Sequence, residues 1–377
     1  ENLSLNDPNP TSKDEQKSFA EQCTLKHFED ENECDDDDQK SPRIVKIQGS
    51  TFNVRAGENY AKNKQKAPSL NSLYEPYCTR SFKSGKRTEC IVESLGLPDC
   101  AGRSMISEKF RGRTEYEFVP DVLVAHFQFP FSTNIMKSSV DGEGGEIVFY
   151  LRPTELFMEE LEKPENEQSA AVKLFIKWCN NCDSFEMRSR FKVMGLVRNL
   201  KKHNLGWIAP YNGKPVLVTN SGSVHRGVMP IASTSACSED DKPSSNSGVR
   251  FIEIVSNVHA WVYMAKKGFL TMIPKFQNMQ IDVGMTIEAR EDDEMPECIL
   301  GSVGVQYLDA MNVPRIPEEM QVDTLSPHIG SSYESNSTTN GGGATANGNS
   351  YLISPTKRMS SFFKKKSSSA SNNDTIS

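Results

Sequence analysis

The sequence lacks any long hydrophobic run, and hydrophobic residues make up only 36% of its 377 residues. No stretch approaches the ~18 uncharged apolar residues that a membrane-spanning helix needs, so we expect no transmembrane segment. An apolar fraction this small predicts one globular domain extended by polar tails. The chain opens at Glu1 without an apolar leader segment, and we expect it to be a piece of a longer protein.

The central region has no excess of positive charge. The net charge of −7 is unevenly placed: 1–42 holds 13 Asp or Glu against 4 Lys or Arg, whereas 351–377 holds 5 Lys or Arg against 1 Asp. The body, 43–320, holds 34 charged residues of each sign. Nucleic-acid-binding domains need a basic face against the phosphates, so a neutral body predicts no nucleic-acid partner.

Catalytic and metal-binding signatures are also missing. The sequence has no Gly-x-Ser-x-Gly, Walker-type loop or His-Glu-x-x-His pattern, so we expect no enzyme activity and no cofactor. Cys179 and Cys182 have the spacing of a zinc ligand pair, but no second pair accompanies them, and no metal site is expected. Nine scattered cysteines, an odd number, are typical of reduced thiols and predict a cytoplasmic protein.

Three polar segments flank or interrupt the body. The acidic head, 1–42, and the Ser-, Asn- and Gly-rich tail, 321–377, contain too few apolar residues to offset the entropy lost on ordering, and we expect both to be disordered. Within the body, the polar stretch 230–248 predicts a disordered surface insertion. The folded domain is therefore expected to span 43–320.

Short strand-like runs dominate this domain. The run Val122–Phe129 ends at Pro130, and Ile147–Leu151 follows a glycine-rich loop, a pattern that predicts an antiparallel pair. Thr154 is placed to cap a helix that runs through Leu161. Many strands with few strand–helix–strand alternations indicate an α+β fold, in which a largely antiparallel sheet packs on a long helix.

The long helix is predicted by apolar residues that recur in steps of three and four over 258–279. Pro274 should break or kink this helix near 270–274. Its apolar face has two interpretations. One is ordinary core, and the other is a helix-grip arrangement in which helix and curved sheet enclose an apolar cavity for a lipid tail. The residues assigned to this face are Val262, Phe269, Met272 and Phe276.

A series of motifs resembles the C-terminal domain of the plant Enhanced Disease Resistance 2 family. The matches, in chain order, are Phe52-x-Val-Arg55 with Gly57 and Tyr60, Gln128-x-Pro130, Arg190-Phe191-Lys192, Lys214–Leu217, Phe251–Ile254, Ile281–Val283 with Ile287-Glu288, and Met295–Gly301. In full-length relatives this domain often follows a phosphoinositide-binding pleckstrin-homology domain and a lipid-transfer domain of the steroidogenic acute regulatory type. The resemblance therefore implies a role at endomembranes, where such proteins restrain defence-linked cell death. Neither upstream module lies in this sequence.

The first motif opens a basic cluster. Arg55, Tyr60, Lys62 and Lys66 surround a tight turn at Gly57, and their charges suit a lipid head-group phosphate. The alternatives are a solvated charged loop, or structural anchoring of Arg55 and Tyr60 on the sheet. The other residues assigned to a head-group or structural role are Arg190, Lys192, Asp282 and Glu288.

Asp282 and Glu288 are also candidates for acid–base chemistry. They lie six residues apart in one predicted strand, which would place them on the same face. We favour a buried, hydrogen-bonded structural role for Asp282, and a satisfied core histidine for His126.

The end of the tail interleaves basic, aromatic and serine residues. This composition predicts reversible contact with an anionic membrane, which phosphorylation at Ser360, Ser361 or Ser367 would weaken. A solvated linker and a nuclear-localisation-like cluster are the alternatives. The residues assigned to membrane contact are Lys357, Arg358, Phe362, Phe363, Lys364, Lys365 and Lys366.

The function predicted from these features is that of a non-enzymatic lipid-binding or membrane-associated regulatory domain. Its expected partners are an anionic lipid or membrane surface and other proteins, and its expected place is peripheral on endomembranes or the plasma membrane. Two alternatives stay open: a protein-interaction scaffold without a ligand cavity, and an enzyme with an acid–base site around Asp282.

Overall fold

A computed structural model describes residues 13–28, 41–99, 105–131, 142–217, 222–230, 248–261 and 263–321. The strands are β1 (Lys26–Phe28), β2 (Arg43–Lys46), β3 (Asn53–Arg55), β4 (Lys66–Pro68), β5 (Tyr74–Ser84), β6 (Val122–Pro130), β7 (Gly144–Pro153), β8 (Phe191–Val197), β9 (Pro215–Leu217), β10 (Gly222–Pro230), β11 (Gly248–Asn257), β12 (Gln280–Ile287) and β13 (Ile299–Gln306). The α-helices are α1 (Lys13–Gln22), α2 (Tyr60–Asn63), α3 (Ile91–Leu95), α4 (Ile106–Lys109), α5 (Glu155–Glu162), α6 (Ala170–Asn181), α7 (Phe185–Arg188) and α8 (Tyr263–Met272). Short 3₁₀ helices span Gly49–Thr51, Thr114–Tyr116, Glu165–Glu167, Gly206–Ile208, Val258–Ala260, Ile273–Asn278, Asp292–Glu294 and Glu318–Met320.

The strands form two large sheets and a hairpin. One sheet has six strands in the order β1-β2-β13-β12-β8-β9, the other has five in the order β10-β11-β6-β7-β5, and β3 pairs with β4. Two neighbouring pairs are parallel, β1 with β2 and β11 with β6, and the others are antiparallel. The predicted α+β class with largely antiparallel sheets is therefore confirmed, including the antiparallel pair β6–β7.

The central strand β6 of the five-stranded sheet is buried on both of its faces. Successive side chains of a strand point to opposite faces, and β6 follows this rule. Leu123 and Ala125 belong to the main core, whereas Val122 and Val124 belong to a second core on the other face. Burial on both faces explains why β6 reads as a continuous apolar run in the sequence.

The outer face of the six-stranded sheet is covered by the segment that leads into the β3–β4 hairpin. Phe52 and Val54 pack against Met194 and Ile299 in a small separate cluster. Gly284 allows this close approach, since a Cβ atom at that position would lie only 2.8 Å from the Phe52 ring. The hairpin is thereby fixed to the sheet at its base.

Two helices complete the main core. The Thr154 hydroxyl accepts a hydrogen bond from the Phe157 N–H and caps α5, as predicted. The Ser169 hydroxyl caps α6 in the same way, and α6 buries Phe175 and Trp178. The Phe175 ring stacks on the Trp178 ring with centroids 6.2 Å apart.

The acidic head is partly ordered, so the prediction of disorder over 1–42 is wrong for residues 13–28. Phe19 and Cys23 are buried in the second core, where the Phe19 ring meets the Phe82 ring edge-on at 6.1 Å. After α1, the Leu25 N–H donates to the Thr79 carbonyl, and β1 then pairs with β2. A few well-placed apolar side chains and strand pairing outweigh the polar composition of this segment. Residues 1–12 and 29–40 of the head lie outside the described residues.

The long helix over 258–279 is also wrong as predicted. Residues 258–260 form a separate 3₁₀ turn, the α-helix begins at Tyr263, and after Met272 the chain continues as a 3₁₀ helix. The break falls next to Pro274, as expected from its missing N–H. The predicted insertion begins at the end of β10 and closes at the start of β11, and its interior lies outside the described residues, as does the tail from residue 322.

The ordered head predicts a specific stability effect. Replacing Phe19 by Ala should lower the free energy of unfolding by about 3 kcal/mol, because it empties a buried aromatic site against Phe82. Urea unfolding followed by circular dichroism measures this change. The matched control is Phe185→Ala, since that side chain is 61% exposed. Equal effects of the two substitutions would contradict the docking of α1.

Candidate functional site

The charged residues of the sequence motifs meet in an ionic cluster beside the β3–β4 hairpin. Arg55, at the end of β3, contacts Glu288 just after β12 (Nη2–Oε1, 2.5 Å), and its Nη1 donates to the Ala289 carbonyl at 2.8 Å. The backbone N–H of Arg55 donates to the Glu297 carboxylate at 3.2 Å. The hairpin is thus tied to the chain around β12 by side-chain and backbone contacts.

Glu297 lies at the centre of this cluster and is 3% exposed. Its carboxylate accepts hydrogen bonds from the Lys192 ammonium (2.7 Å) and from the Ala289 N–H (3.0 Å). Lys192, in β8, is equally buried, and this burial lowers the pKa of its ammonium group despite the neighbouring carboxylate. Lys192 is therefore a structural cation, neutralised by Glu297.

Arg190 is neutralised in the same way. Its Nη1 lies 2.9 Å from both carboxylate oxygens of Glu294. Burial alone would raise the pKa of Glu294, but the Arg290 N–H, Lys177 and Arg190 together lower it to about 2. Glu294 therefore stays ionised and holds the start of β8 against the turn before β13.

Tyr60 and the lysines of the hairpin differ from these buried groups. The Arg55 guanidinium lies 4.9 Å from the centre of the Tyr60 ring, and the Lys64 ammonium lies 5.4 Å from it. Lys62 and Lys66 are exposed, and no carboxylate partner is found for them in the described part of the chain. The structure thus brings Arg55, Tyr60, Lys192 and Glu288 into one region, with the lysines at its outer edge.

Asp282 lies apart from this cluster. It is 2% exposed, and its carboxylate accepts a hydrogen bond from the Arg198 Nε at 2.9 Å. Asp282 and Glu288 therefore have different arginine partners. This geometry is that of a buried structural Asp.

A second buried charge cluster lies on the α3 side of the five-stranded sheet. The ring of His126 is fully buried between two carboxylates, with Nδ1 2.9 Å from Glu253 and Nε2 2.7 Å from Glu146. Burial would lower the pKa of the imidazole, but the hydrogen bonds to Glu146 and Glu253 raise it to about 9. His126 is therefore an imidazolium that donates to both carboxylates.

Each carboxylate of this triad has further donors. Glu253 accepts from the Ile91 and Val92 N–H groups at the start of α3, at 3.0 and 3.2 Å. Glu146 accepts from the Ser84 hydroxyl (2.7 Å) and from the Thr88 N–H (3.0 Å). Burial alone would raise the pKa of Glu253, yet His126 and the two backbone donors lower it. The triad is saturated and closed to solvent.

The apolar helix residues form core contacts. The Phe269 ring meets the rings of Phe129, Trp261 and Phe276, with centroids 5.8–5.9 Å apart. Met272 also packs against the main core, and Val262 lies outside the described residues. A cavity of about 150 Å³ lies elsewhere, and it is lined by His27, Phe28, Ile44, Lys46, Glu75, Pro76, Tyr77 and Arg152.

The remaining predictions concern the cysteine pair, a metal site, a membrane span and the tail. Cys179 and Cys182 are buried at the end of α6, where burial raises the pKa of both thiols. In the part of the chain that the structure describes, no group of three or more His, Cys, Asp or Glu side chains is arranged to hold a metal ion. The described helices also include none with the length and apolar character to cross a bilayer. The seven predicted membrane-contact residues of the tail lie outside the described residues.

Charge removal at Glu297 tests the structural role of the cluster. Glu297→Ala should lower the free energy of unfolding by about 3 kcal/mol, because it leaves the buried Lys192 ammonium unpaired. Chemical unfolding measures the effect. The control is Glu186→Ala, which removes a 71% exposed side chain 3.4 Å from Arg190. A cost at Glu297 no greater than at Glu186 would contradict this assignment.

The triad predicts a pH-dependent stability. The pKa of His126 is raised to about 9 in the folded state, so its contribution is complete below its ordinary pKa near 6.5 and is lost as the pH rises towards 9. The free energy of unfolding should fall by about 3 kcal/mol over this window. Urea titrations between these pH values measure the slope.

The decrease in the free energy of unfolding with rising pH should disappear in His126→Gln, because the glutamine side chain does not titrate in this range. This expectation holds for any absolute stability of the variant. His225→Gln, on strand β10, should keep it. A slope that survives in His126→Gln would show that another group causes it.

The comparison with protein families gives one match. The sequence model described as "Protein ENHANCED DISEASE RESISTANCE 2, C-terminal" matches residues 45–309. Comparisons with curated proteins and with solved structures gave no significant match. The matched region contains both ionic clusters and more than half of the chain, and the chain therefore belongs to the Enhanced Disease Resistance 2 C-terminal domain family.

Proposed function

We propose that this chain is a non-enzymatic regulatory domain that associates peripherally with anionic membrane surfaces. The observation that carries the proposal is the row of exposed lysines on the β3–β4 hairpin, Lys62, Lys64 and Lys66. These lysines have no carboxylate partner within the described ranges, and the segment between Gly57 and Leu70 contains one acidic residue, Glu58. Lysines near an anionic leaflet are attracted to it, and the attraction adds up over neighbouring residues.

The hairpin holds these lysines in a fixed arrangement. Asn59 and Lys64 flank α2 in the left-handed backbone region, with φ angles of 56° and 55°, and the Asn59 N–H donates to the Asp292 carboxylate at 3.0 Å. Arg55 ties the base of the hairpin to Glu288. A surface that is already ordered loses little conformational entropy on binding, which favours association.

The buried cations do not serve this contact. Arg55, Arg190 and Lys192 are each engaged by a carboxylate, and the last two are at most 5% exposed. A phosphate would have to displace Glu294 or Glu297 from a buried ion pair, which is costly. We therefore propose that the motif cations position the hairpin, while its exposed lysines meet the membrane.

A role without catalysis is supported by the burial of the His126 triad and of Asp282. His126, Glu146 and Glu253 are at most 1% exposed, so a substrate has no access to them in this structure. Asp282 is paired with Arg198 and is 2% exposed. General acid–base catalysis needs a group within hydrogen-bond reach of the substrate.

We further propose that the domain acts on the cytoplasmic face of endomembranes or the plasma membrane. The cysteines in the described segments, six of the nine in the chain, are all free thiols. Free thiols throughout a folded domain are typical of a reducing compartment.

Protein interaction without a bound lipid is the second candidate function. It is favoured by the residues predicted to line a lipid-tail cavity, because Phe269 and Phe276 instead contact other aromatic rings in the core. A core filled by side chains suits a scaffold without a bound lipid. Native mass spectrometry of the full chain, followed by lipid extraction, tests for an enclosed lipid, and vesicle sedimentation distinguishes membrane association from a scaffold that binds only proteins. A stoichiometric lipid would indicate an enclosed ligand, whereas surface association and scaffolding both predict none.

Removing the hairpin charges tests the membrane proposal. The triple variant Lys62→Gln, Lys64→Gln and Lys66→Gln should bind vesicles of phosphatidylcholine and phosphatidylserine, mixed in equal parts, on the order of a hundredfold more weakly than the unchanged chain. Vesicle sedimentation measures the difference, and added salt should reduce binding of the unchanged chain.

The matched control removes three exposed lysines elsewhere, by Lys13→Gln, Lys17→Gln and Lys173→Gln. It has the same net charge as the hairpin variant and should bind like the unchanged chain. If both triple variants bind equally, the hairpin is not the contact. If the unchanged chain does not bind mixed vesicles, the proposed function is wrong.

A further inference from the structure

A second exposed surface lies in the segment that connects β8 to β9. Trp207 is 48% exposed and Tyr211 is 42% exposed, so two aromatic side chains four positions apart are in contact with solvent. Lys201, Lys202 and Lys214 are exposed in the same segment. We refer to these five residues as the Trp207 surface.

The backbone beneath this surface is firmly held. Leu205 is fully buried and Ile208 is 8% exposed, so the 3₁₀ turn between them is anchored in the core on both sides of Trp207. The Asn212 side chain accepts from the Val197 N–H (2.7 Å) and donates to the Val197 carbonyl (3.1 Å). Trp207 and Tyr211 are therefore presented outward by an ordered segment.

Two stretches of sequence that contribute to this part of the molecule contain no acidic residues. The stretch 187–238 has 8 Lys or Arg and no Asp or Glu, and 254–281 has 3 Lys and again no Asp or Glu. The arginines and the lysine of these stretches that lie in ion pairs have their carboxylates on other segments, as with Arg198 and Asp282. No ion pair is found in the described residues for Lys201, Lys202 and Lys214, so the excess of positive charge lies at the Trp207 surface.

The two acid-poor stretches meet in space at the Trp207 surface. The Lys275 ammonium donates to the His203 carbonyl at 3.1 Å. The Trp207 ring rests on Gly268 of α8, where a Cβ atom would lie 3.0 Å from it. Burial lowers the pKa of His203, and the charges of Lys202 and Lys275 lower it further, as expected in a positive local field.

This surface adjoins the side of the molecule that carries the hairpin. Leu196 packs with the cluster of Phe52 and Val54 under the hairpin. It also faces the turn of the Trp207 segment, since a Cβ atom at Gly213 would lie 3.3 Å from the Leu196 side chain. The hairpin lysines and the Trp207 surface thus border the same outer face of the six-stranded sheet.

We propose that the Trp207 surface is a second membrane-contact site, in which Trp207 and Tyr211 enter the bilayer interface and Lys201, Lys202 and Lys214 face anionic head groups. Amphipathic Trp and Tyr rings prefer the boundary between head groups and acyl chains, and lysines are attracted to an anionic leaflet. This inference rests on the proposed peripheral function and adds an apolar contact to it.

Fluorescence quenching tests whether Trp207 enters the bilayer. The full chain is added to phosphatidylcholine–phosphatidylserine vesicles in which the phosphatidylcholine carries brominated acyl chains, which quench nearby indoles. The chain has three tryptophans, of which Trp178 is fully buried. We expect the brominated lipid to quench the tryptophan fluorescence of the unchanged chain and of Trp261→Phe. This quenching should be lost in Trp207→Phe.

Binding strength provides the second readout. The double variant Trp207→Ala and Tyr211→Ala should bind mixed vesicles on the order of tenfold more weakly, because it loses apolar area that would leave water. Phe185→Ala, which removes another exposed aromatic ring, should bind like the unchanged chain. Far-ultraviolet circular dichroism confirms that each variant is folded.

The outcomes separate this inference from the proposed function. Binding of the unchanged chain with quenching unaffected by Trp207→Phe overturns the Trp207 contact and leaves the hairpin proposal standing. Absence of vesicle binding overturns both. A single-stranded oligonucleotide is the comparison ligand, since bases also stack on exposed aromatic rings. Trp207-dependent binding to it, without vesicle binding, would assign the surface to nucleic acid and overturn the membrane assignment.

Discussion

The burial of one positive charge between two negative ones organises the five-stranded sheet. His126 extends from β6 between Glu146 of β7 and Glu253 of β11, and the carboxylate of Glu253 continues the contact to the start of α3. Three neighbouring strands and a helix are therefore joined through one imidazolium. A buried charge is tolerated only when its partners satisfy it, so each of these groups depends on the presence of the others. The second core packs around this arrangement, with α3 and the docked α1 on the same side of the sheet.

The same principle explains the charged motifs of the family. Arg55, Arg190 and Lys192 look like ligand-binding residues in the sequence, because three cations recur at motif positions. In the folded chain their carboxylate partners come from one short stretch, 288–297. Arg55 ties the hairpin to this stretch, whereas Arg190 and Lys192 tie β8 to it. The motifs thus describe how the domain is held together. Functional surfaces are then to be sought among exposed side chains, such as the lysines of the hairpin and the residues of the Trp207 surface.

The sequence allowed good prediction where the signal is local. The apolar runs of β6 and β7 and the cap at Thr154 depend on neighbouring residues, and they were predicted correctly. Contacts between distant residues could not be read in this way, since Arg55 and Glu297 are separated by 242 positions and pair only through the sheet. The ordered head was missed because Phe19 and Cys23 are few among polar residues, and average composition hides them. The Trp207 surface had a readable signal, the absence of acidic residues over 187–238, which the balanced charge of the whole body concealed.

The position of the head has a consequence for where this domain begins. The family match starts at residue 45, after α1 and β1. Yet β1 pairs along β2 at the rim of one sheet, while the Leu25 N–H and the Cys23 carbonyl bond to β5 at the rim of the other. The short segment from Cys23 to Phe28 thus covers one edge of each sheet. A chain trimmed to the family match would leave backbone donors and acceptors of both rims unsatisfied, and such open edges recruit strands from other molecules. The ordered part of the head therefore opposes self-association by covering both edges, and its residues precede the family match.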